Sequence, residues 1–396
     1  MFTLTAASAM AFHGGGVAHC DGCHSMHNSP ENPIGQGELD ALGNVISTAA
    51  APNEALMKGT DASSTCLNCH NGKGGYHIAS SDGSNLNTGG DFGWLSQAYD
   101  YDVRGTTYTA DPDNFGHNVV AVDFGWTADA TNLTTPGSSL GYNPALLGCT
   151  SCHDAHGQVN DGTKGGGAPV DVSGSYTGTA TTGVVGNFRL LGDSMYEAGH
   201  NINDGFAFSN GAPIAISQNS YSTSYGAWSR YASGMSEWCA NCHDEYLNTA
   251  PDAATGKHPT SVLLSKDGYD ANYNAYVATG NFTGTSATAY DPLVPFETGG
   301  TRADLIAATA TDTNGPGATA QVMCLSCHRA HASAFNNMGR WDFDTEFLAH
   351  SAVLHSPDVD IAGGAAPYYG DNAVIDVETK YGASQRSLCN KCHVQD

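Results

Sequence analysis

Twelve cysteines in this 396-residue chain fall into six pairs of one spacing, each pair followed at once by histidine. They are Cys20-Asp-Gly-Cys23-His24, Cys66-Leu-Asn-Cys69-His70, Cys149-Thr-Ser-Cys152-His153, Cys239-Ala-Asn-Cys242-His243, Cys324-Leu-Ser-Cys327-His328 and Cys389-Asn-Lys-Cys392-His393. No cysteine is left over. A disulfide-rich secreted domain has no reason to place histidine after every second cysteine. Zinc ribbons and redox dithiols also use two cysteines at this spacing, so one copy would leave those readings open. Six copies do not. Two thiols three positions apart can each form a thioether to one vinyl group of a porphyrin, and the adjacent histidine then lies under the iron as its proximal ligand. The pattern predicts six covalently bound c-type haems, with His24, His70, His153, His243, His328 and His393 as proximal ligands.

The other eleven histidines are candidates for the sixth position on each iron: His13, His19, His27, His77, His117, His156, His200, His258, His331, His350 and His355. His27, His156 and His331 each follow a proximal histidine by three positions, in CHSMH, CHDAH and CHRAH. If the binding turn continues helically, residues three apart share a face. Such a histidine cannot swing to the far side of its own haem, but it can reach another haem packed alongside. His77, His117 and His258 stand in glycine-containing loops that give them no other role. These six are the predicted distal ligands. His13 and His200 remain open, His350 and His355 read as the surface of a helix, and His19 is held too tightly by Cys20. Met26, Met195, Met235, Met323 and Met338 are rival ligands that the histidine surplus makes unnecessary. Bis-histidine ligation leaves no open face for a substrate and gives low potentials, which suits an electron carrier rather than an enzyme. A multihaem reductase would need one open or irregular site, and all six motifs are regular.

Between motifs the chain is rich in Gly, Ser, Thr, Asn and Asp, with 49 glycines. Sustained helical or strand periodicity is scarce. The expected fold is a multihaem cytochrome c, mostly coil and turns, with a few short helices and minimal strand. Helices are expected over 236–248, 303–308 and 342–355, and a strand over 118–124. Taken alone this composition points to disorder. Six large apolar rings, each bonded three times to the chain, would replace the missing side-chain core. Motifs run from residue 20 to residue 393, so residues 12–396 read as one hexahaem unit.

Residues 1–11 end in Ala9-Met10-Ala11 and read as the remnant of a signal peptide, consistent with haem attachment outside the cytoplasm. No apolar run is long enough to span a membrane. The formal charge of −25 disfavours nucleic acid as a partner.

Several stretches resemble the OmcS-like hexahaem outer-surface cytochromes, which polymerise into extracellular nanowires. They are FHGGGVAHCDGCHSMHNS (12–29), CLNCH (66–70), GGDFGW (89–94), GHNVVA (116–121), GMSEWCANCH (234–243), CLSCHRAHASAF (324–335) and QRSLCNKCH (385–393). The resemblance implies a continuous stack of six bis-histidine haems, head-to-tail polymerisation with other copies of the chain, and a cell-surface location reached through the periplasm. It implies that His27 is donated across the subunit interface to the neighbour's fifth haem, held by Cys324, Cys327 and His328. The expected partners are upstream outer-membrane or periplasmic cytochromes and external acceptors such as metal oxides. A soluble periplasmic shuttle acting as a monomer is the alternative. The linkers 157–230 and 336–384 match the family poorly.

Overall fold

The structure is a computed structural model that describes residues 20–24, 57–71, 89–96, 98, 100–103, 106–109, 112–155, 188–194, 196–197, 206–217, 229–247, 260–301, 304, 313–344, 347–348 and 380–394. Five short α-helices lie within them: α1 (Cys20–Cys23), α2 (Ala62–His70), α3 (Cys149–Cys152), α4 (Met235–Cys239) and α5 (Tyr269–Ala275). Four strands form two separate antiparallel hairpins, β1 (Asp100–Val103) with β2 (Thr106–Thr109) and β3 (Ile214–Ser217) with β4 (Ser229–Ser233). The rest is 3₁₀ turns, isolated bridges and coil, as the composition predicts.

The first three helices each contain a Cys-x-x-Cys segment, α4 ends on Cys239, the first cysteine of the fourth motif, and the fifth and sixth motifs lie in 3₁₀ turns, Cys324–Ser326 and Leu388–Lys391. These elements are short because their work is to present two thiols and an imidazole, not to bury an amphipathic face. Side-chain caps hold them. Asp61 caps α2 by accepting from Ser64 N at 2.8 Å. Ser151 accepts from Gly148 N at 2.9 Å, Ser326 from Met323 N at 3.1 Å, and Ser387 from Cys389 N at 3.2 Å.

Apolar packing exists but is dispersed. The largest cluster gathers Trp94, Phe115, Leu264, Tyr273, Leu293, Trp341 and Leu388, among others. A second surrounds α4 with Phe188, Tyr231, Met235, Met323 and Leu325. Met235 and Met323 therefore serve as packing in an apolar cluster.

Three secondary-structure expectations need correction. Residues 118–124 do not form a strand. The chain is extended to Ala121, bridges to Trp126, and turns through a 3₁₀ element at Val122–Phe124, where Asp61 Oδ2 accepts from Val122 N at 2.8 Å. The helix expected over 236–248 runs only from Met235 to Cys239. The chain then turns so that His243 can face its partners, and a 3₁₀ turn follows at Asp244–Tyr246. At 342–344 the chain is not helical, because Asp342 Oδ1 accepts from Asp344 N at 2.8 Å in a local turn. Most of 303–308 and of 345–355 lies outside the described residues.

Candidate haem-binding centre

None of the eleven cysteines whose side chains are described forms a disulfide; all are free thiols. Their neighbours run in chain order. Cys23 lies near Cys66, Cys66 lies against Cys149, Cys152 near Cys242, Cys239 against Cys324, and Cys327 near Cys389 and Cys392. The six attachment points therefore follow one another in space as they do in sequence. Burial pushes the Cys242, Cys327 and Cys392 thiols up to about 12, so they rest uncharged.

The second and third motifs meet in the same way as the fourth and fifth. Ser63 Oγ, three residues before Cys66, accepts from Cys149 N at 3.0 Å. Ser236 Oγ, three residues before Cys239, accepts from Cys324 N at 3.2 Å. One serine thus pins the first cysteine of the following motif in both pairs.

The third and fifth motifs share a second device. His153 forms an antiparallel bridge with Leu191, and Gly192 N donates to Cys152 O at 2.9 Å. His328 forms one with Gly339, and Arg340 N donates to Cys327 O at 2.7 Å. Each return segment carries two consecutive left-handed residues, Arg189 and Leu190 (φ 49° and 58°), and Asn337 and Met338 (both 55°). That backbone is strained for residues other than glycine. It aims two carbonyls at the proximal imidazoles: His153 Nδ1 donates to Arg189 O at 2.9 Å, and His328 Nδ1 to Asn337 O at 2.7 Å. The first motif has the same bridge, His24 to Met57, with Lys58 N donating to Cys23 O at 2.9 Å.

The imidazoles show what these devices prepare. His243 Nδ1 donates to Pro136 O at 2.7 Å, His117 Nδ1 to Ala330 O at 2.8 Å, and His331 Nδ1 to Gly90 O at 3.2 Å. A carbonyl only accepts, so the proton sits on Nδ1 and Nε2 is left as a lone-pair donor for a metal. Burial lowers the pKa of His153, His243 and His328, and takes that of His117 down to about 4 and that of His331 to about 3. All five are neutral, as ligation requires.

Two opposed pairs form. His117 and His243 have ring centroids 6.1 Å apart, and so do His153 and His331. A metal–imidazole bond is about 2.0 Å long and the nitrogen lies about 1.1 Å from the ring centre, so two rings on opposite faces of one iron place their centroids about 6.2 Å apart. The observed spacing fits an iron between each pair. Phe92 stacks on His331 at 4.7 Å and 24°. The free thiols, the committed Nδ1 atoms and the opposed rings fit covalent haem at these positions.

His117 and His331 stand on one scaffold. His117 N donates to His331 O at 3.0 Å, His331 N to Gly89 O at 2.7 Å, Asp91 N to Ala332 O at 3.1 Å and Ser333 N to Phe115 O at 2.8 Å. Two glycines allow this approach. A Cβ on Gly90, at φ +89°, would lie 2.0 Å from Ala332 O, and one on Gly116 would lie 2.5 Å from both His331 O and Ala332 Cβ.

No family model matches the chain. Over 99% of its length it is 36% identical to the C-type cytochrome OmcS of Geobacter sulfurreducens, covering 96% of that protein. The chain belongs to the OmcS family of c-type cytochromes. Two solved structures, described as cryo-EM of the OmcS nanowires and as the outer membrane cytochrome S filament of Geobacter sulfurreducens, superpose with a TM-score of 0.75. Each is 36% identical, with 97% of this chain and all of that chain covered. As an OmcS-family cytochrome the chain carries six c-type haems and is an electron carrier. No described helix is long and apolar enough to cross a membrane.

Among the distal candidates, His117 and His331 are placed opposite proximal rings of other motifs. After His328 the chain does not continue helically; it bends at Ala330 and His331, between the bridges His328 makes to Gly339 and Ala332 makes to Gly116. His27, His77, His156 and His258 lie outside the described residues, as do His13, His19, His200, His350 and His355. The sequence reading missed the carbonyls of Gly90, Pro136, Arg189, Ala330 and Asn337, because a backbone acceptor leaves no mark in residue identity. It also missed Ser63 and Ser236, whose signal was a serine three positions before a motif.

Proposed function

We propose that this chain is the subunit of an extracellular electron-conducting filament, in which six bis-histidine haems per subunit join those of the next copy in one line. The observation that carries this reading is the position of His331. It follows the fifth motif by three residues yet lies against His153 of the third, a step back of two motifs. His156 occupies the same place after the third motif, and the same step brings it to His24 of the first. Applied to His27, the step leaves the subunit and ends on the fifth motif of a neighbouring copy, with His328 as the opposing ligand. His117 faces His243, which leaves His77 and His258 for the second and sixth motifs.

Bound haem supplies the ferric–ferrous couple. The chain's own residues position it: cysteines anchor, neutral histidines hold from both faces, and Ser63 and Ser236 close the gaps between motifs. With every iron face filled by histidine, electrons pass through and no substrate is turned over. The electrons come from upstream outer-membrane or periplasmic cytochromes and leave to external acceptors such as metal oxides, after export of the chain through the periplasm. The filaments of the OmcS relatives support this assembly.

Cryo-electron microscopy of holoprotein from a haem-maturing host tests it. Filaments with a continuous haem line are expected. His27→Ala should give a folded, haem-loaded monomer with one high-spin site, and unchanged filaments in that variant would sink the ligand bridge. Discrete monomers of the parent chain would favour the periplasmic shuttle.

A further inference from the structure

One buried ionisable group between the fourth and fifth motifs has no part in the ligation described above. Glu297 is 1% exposed. Its segment bridges Tyr231 of β4 on one side and Gln321 on the other. Its Oε1 accepts from Met235 N at 2.5 Å at the start of α4, whose N-cap, Gly234, has no side chain to offer. The contacting pair Cys239 and Cys324 both lie within range of its charge.

The groups around it are few. From α4 come the backbone N–H groups of Gly234, Met235 and Ser236, and the carboxylate of Glu237, which accepts from Ser261 Oγ at 2.7 Å. The paired strand β4 carries Arg230 and Tyr231, the other side contributes neutral Gln321, and the two cysteines are uncharged as thioethers. Among the described residues no lysine or arginine forms an ion pair with Glu297. A buried carboxylate without a cation, beside a second carboxylate, favours its neutral form. Burial, reinforced by Glu237, pushes Glu297 up to about 7.

We propose that Glu297 is a redox-linked proton acceptor, taking a proton from water when an electron reaches the haem pair of the fourth and fifth motifs and releasing it when the electron leaves. The inference rests on the electron-conduit reading. The electron comes from the adjoining haem of the same line and reduces Fe(III) to Fe(II). The proton converts the Glu297 carboxylate to the acid, so the added negative charge is cancelled within the site. On departure of the electron both changes reverse, and no other reactant is consumed. Asp61, the carboxylate that caps the corresponding helix α2, is part-exposed and donated by its own helix, so the second and third motifs lack this device.

The test is spectroelectrochemical titration of the holoprotein across about pH 6 to 8, where a group with that acidity changes charge, on the parent chain, Glu297→Gln and Glu237→Gln. In the parent, the midpoint potentials of a subset of haems should fall as pH rises, and reduced-minus-oxidised infrared spectra should gain a carboxylic-acid carbonyl band on reduction. Glu297→Gln should lose both signals. Glu237→Gln should keep them but move their pH midpoint down by about half a unit, a threefold change in proton affinity. The same pH slope and band in Glu297→Gln would overturn the proposal and assign the proton to the propionates. An unmoved midpoint in Glu237→Gln would overturn it as well, even if Glu297→Gln failed to fold. Haem content and filament formation, followed in the same samples, report on the conduit reading separately.

Discussion

The contact between the second and third motifs and the contact between the fourth and fifth are built alike in one respect and differently in another. Both use a serine three residues upstream to accept the N–H of the next motif's first cysteine, and both bring two sulfurs together. They differ in how the leading helix is capped. On α2 the carboxylate of Asp61 comes from the chain itself and stays part-exposed. On α4 the cap is a glycine at φ 90°, and the carboxylate arrives from Glu297, buried and far along the chain. The geometry that sets the spacing of the haems has been kept, while the electrostatics beside them has diverged. Spacing and charge are therefore separate variables in this chain.

Substitutions can break the two pairs together or apart. The largest effect is expected from Gly90→Val, which forces backbone apart at Ala332 and disturbs His331 and His117 at once. A loss of more than about 4 kcal/mol is expected, with two of the six haems going high-spin, read by electron paramagnetic resonance and thermal melting. His331→Ala and His117→Ala should separate the pairs. Each should leave one high-spin, carbon-monoxide-binding haem, the third motif's in the first variant and the fourth's in the second. Identical spectra from the two variants would contradict the opposed-ring assignment.

Capping comes next. Asp61→Ala should destabilise by about 1 kcal/mol, read as a lowered melting temperature. Glu297→Gln should act differently. Its folded-state pKa, about 7, lies above the ordinary 4.5, so the folded chain binds the extra proton between those values. The parent's stability should therefore decline as pH rises from about 4.5 through about 7, and Glu297→Gln should remove that decline. Melting temperatures across this range decide it. The smallest effects are expected from Ser63→Ala and Ser236→Ala, about 1 kcal/mol each. The two should be equal if the pairs share one spacing device, and circular dichroism in the Soret band reports the coupling within each pair.

The content of six haems was legible because covalent haem demands fixed residue types at fixed spacing, and so was the scarcity of regular structure. The three-residue offset of His331 was visible too, although the route it takes is bent rather than helical. The words GGDFGW, GHNVVA and CHRAHASAF carry meaning in the sequence because they meet in space. Gly90 and Gly116 are read there as glycines, but only the approach of Ala332 explains them. What the sequence hid was long-range or backbone-borne. A carbonyl acceptor can belong to any residue, as Pro136 and Arg189 illustrate. The helix expected after Ser236 ended early because ring placement outweighed local propensity, which is a weak preference in any short segment. Glu297 looked like one acid among many until α4 was seen to lack a cap of its own.

The joint seat of His117 and His331 also orders events during synthesis. A chain exported from its N-terminus presents Cys149, Cys152 and His153 to the attachment machinery well before residue 331 has emerged. For that interval the third haem has no partner ring from its final fold, and the seat of His117 is equally unfinished, since both await the segment that carries Ala332. The middle of the molecule is thus completed by nearly the last part of the chain to arrive. A truncated or stalled product would be fully haemylated up to its break and yet hold its central irons open to any small ligand present.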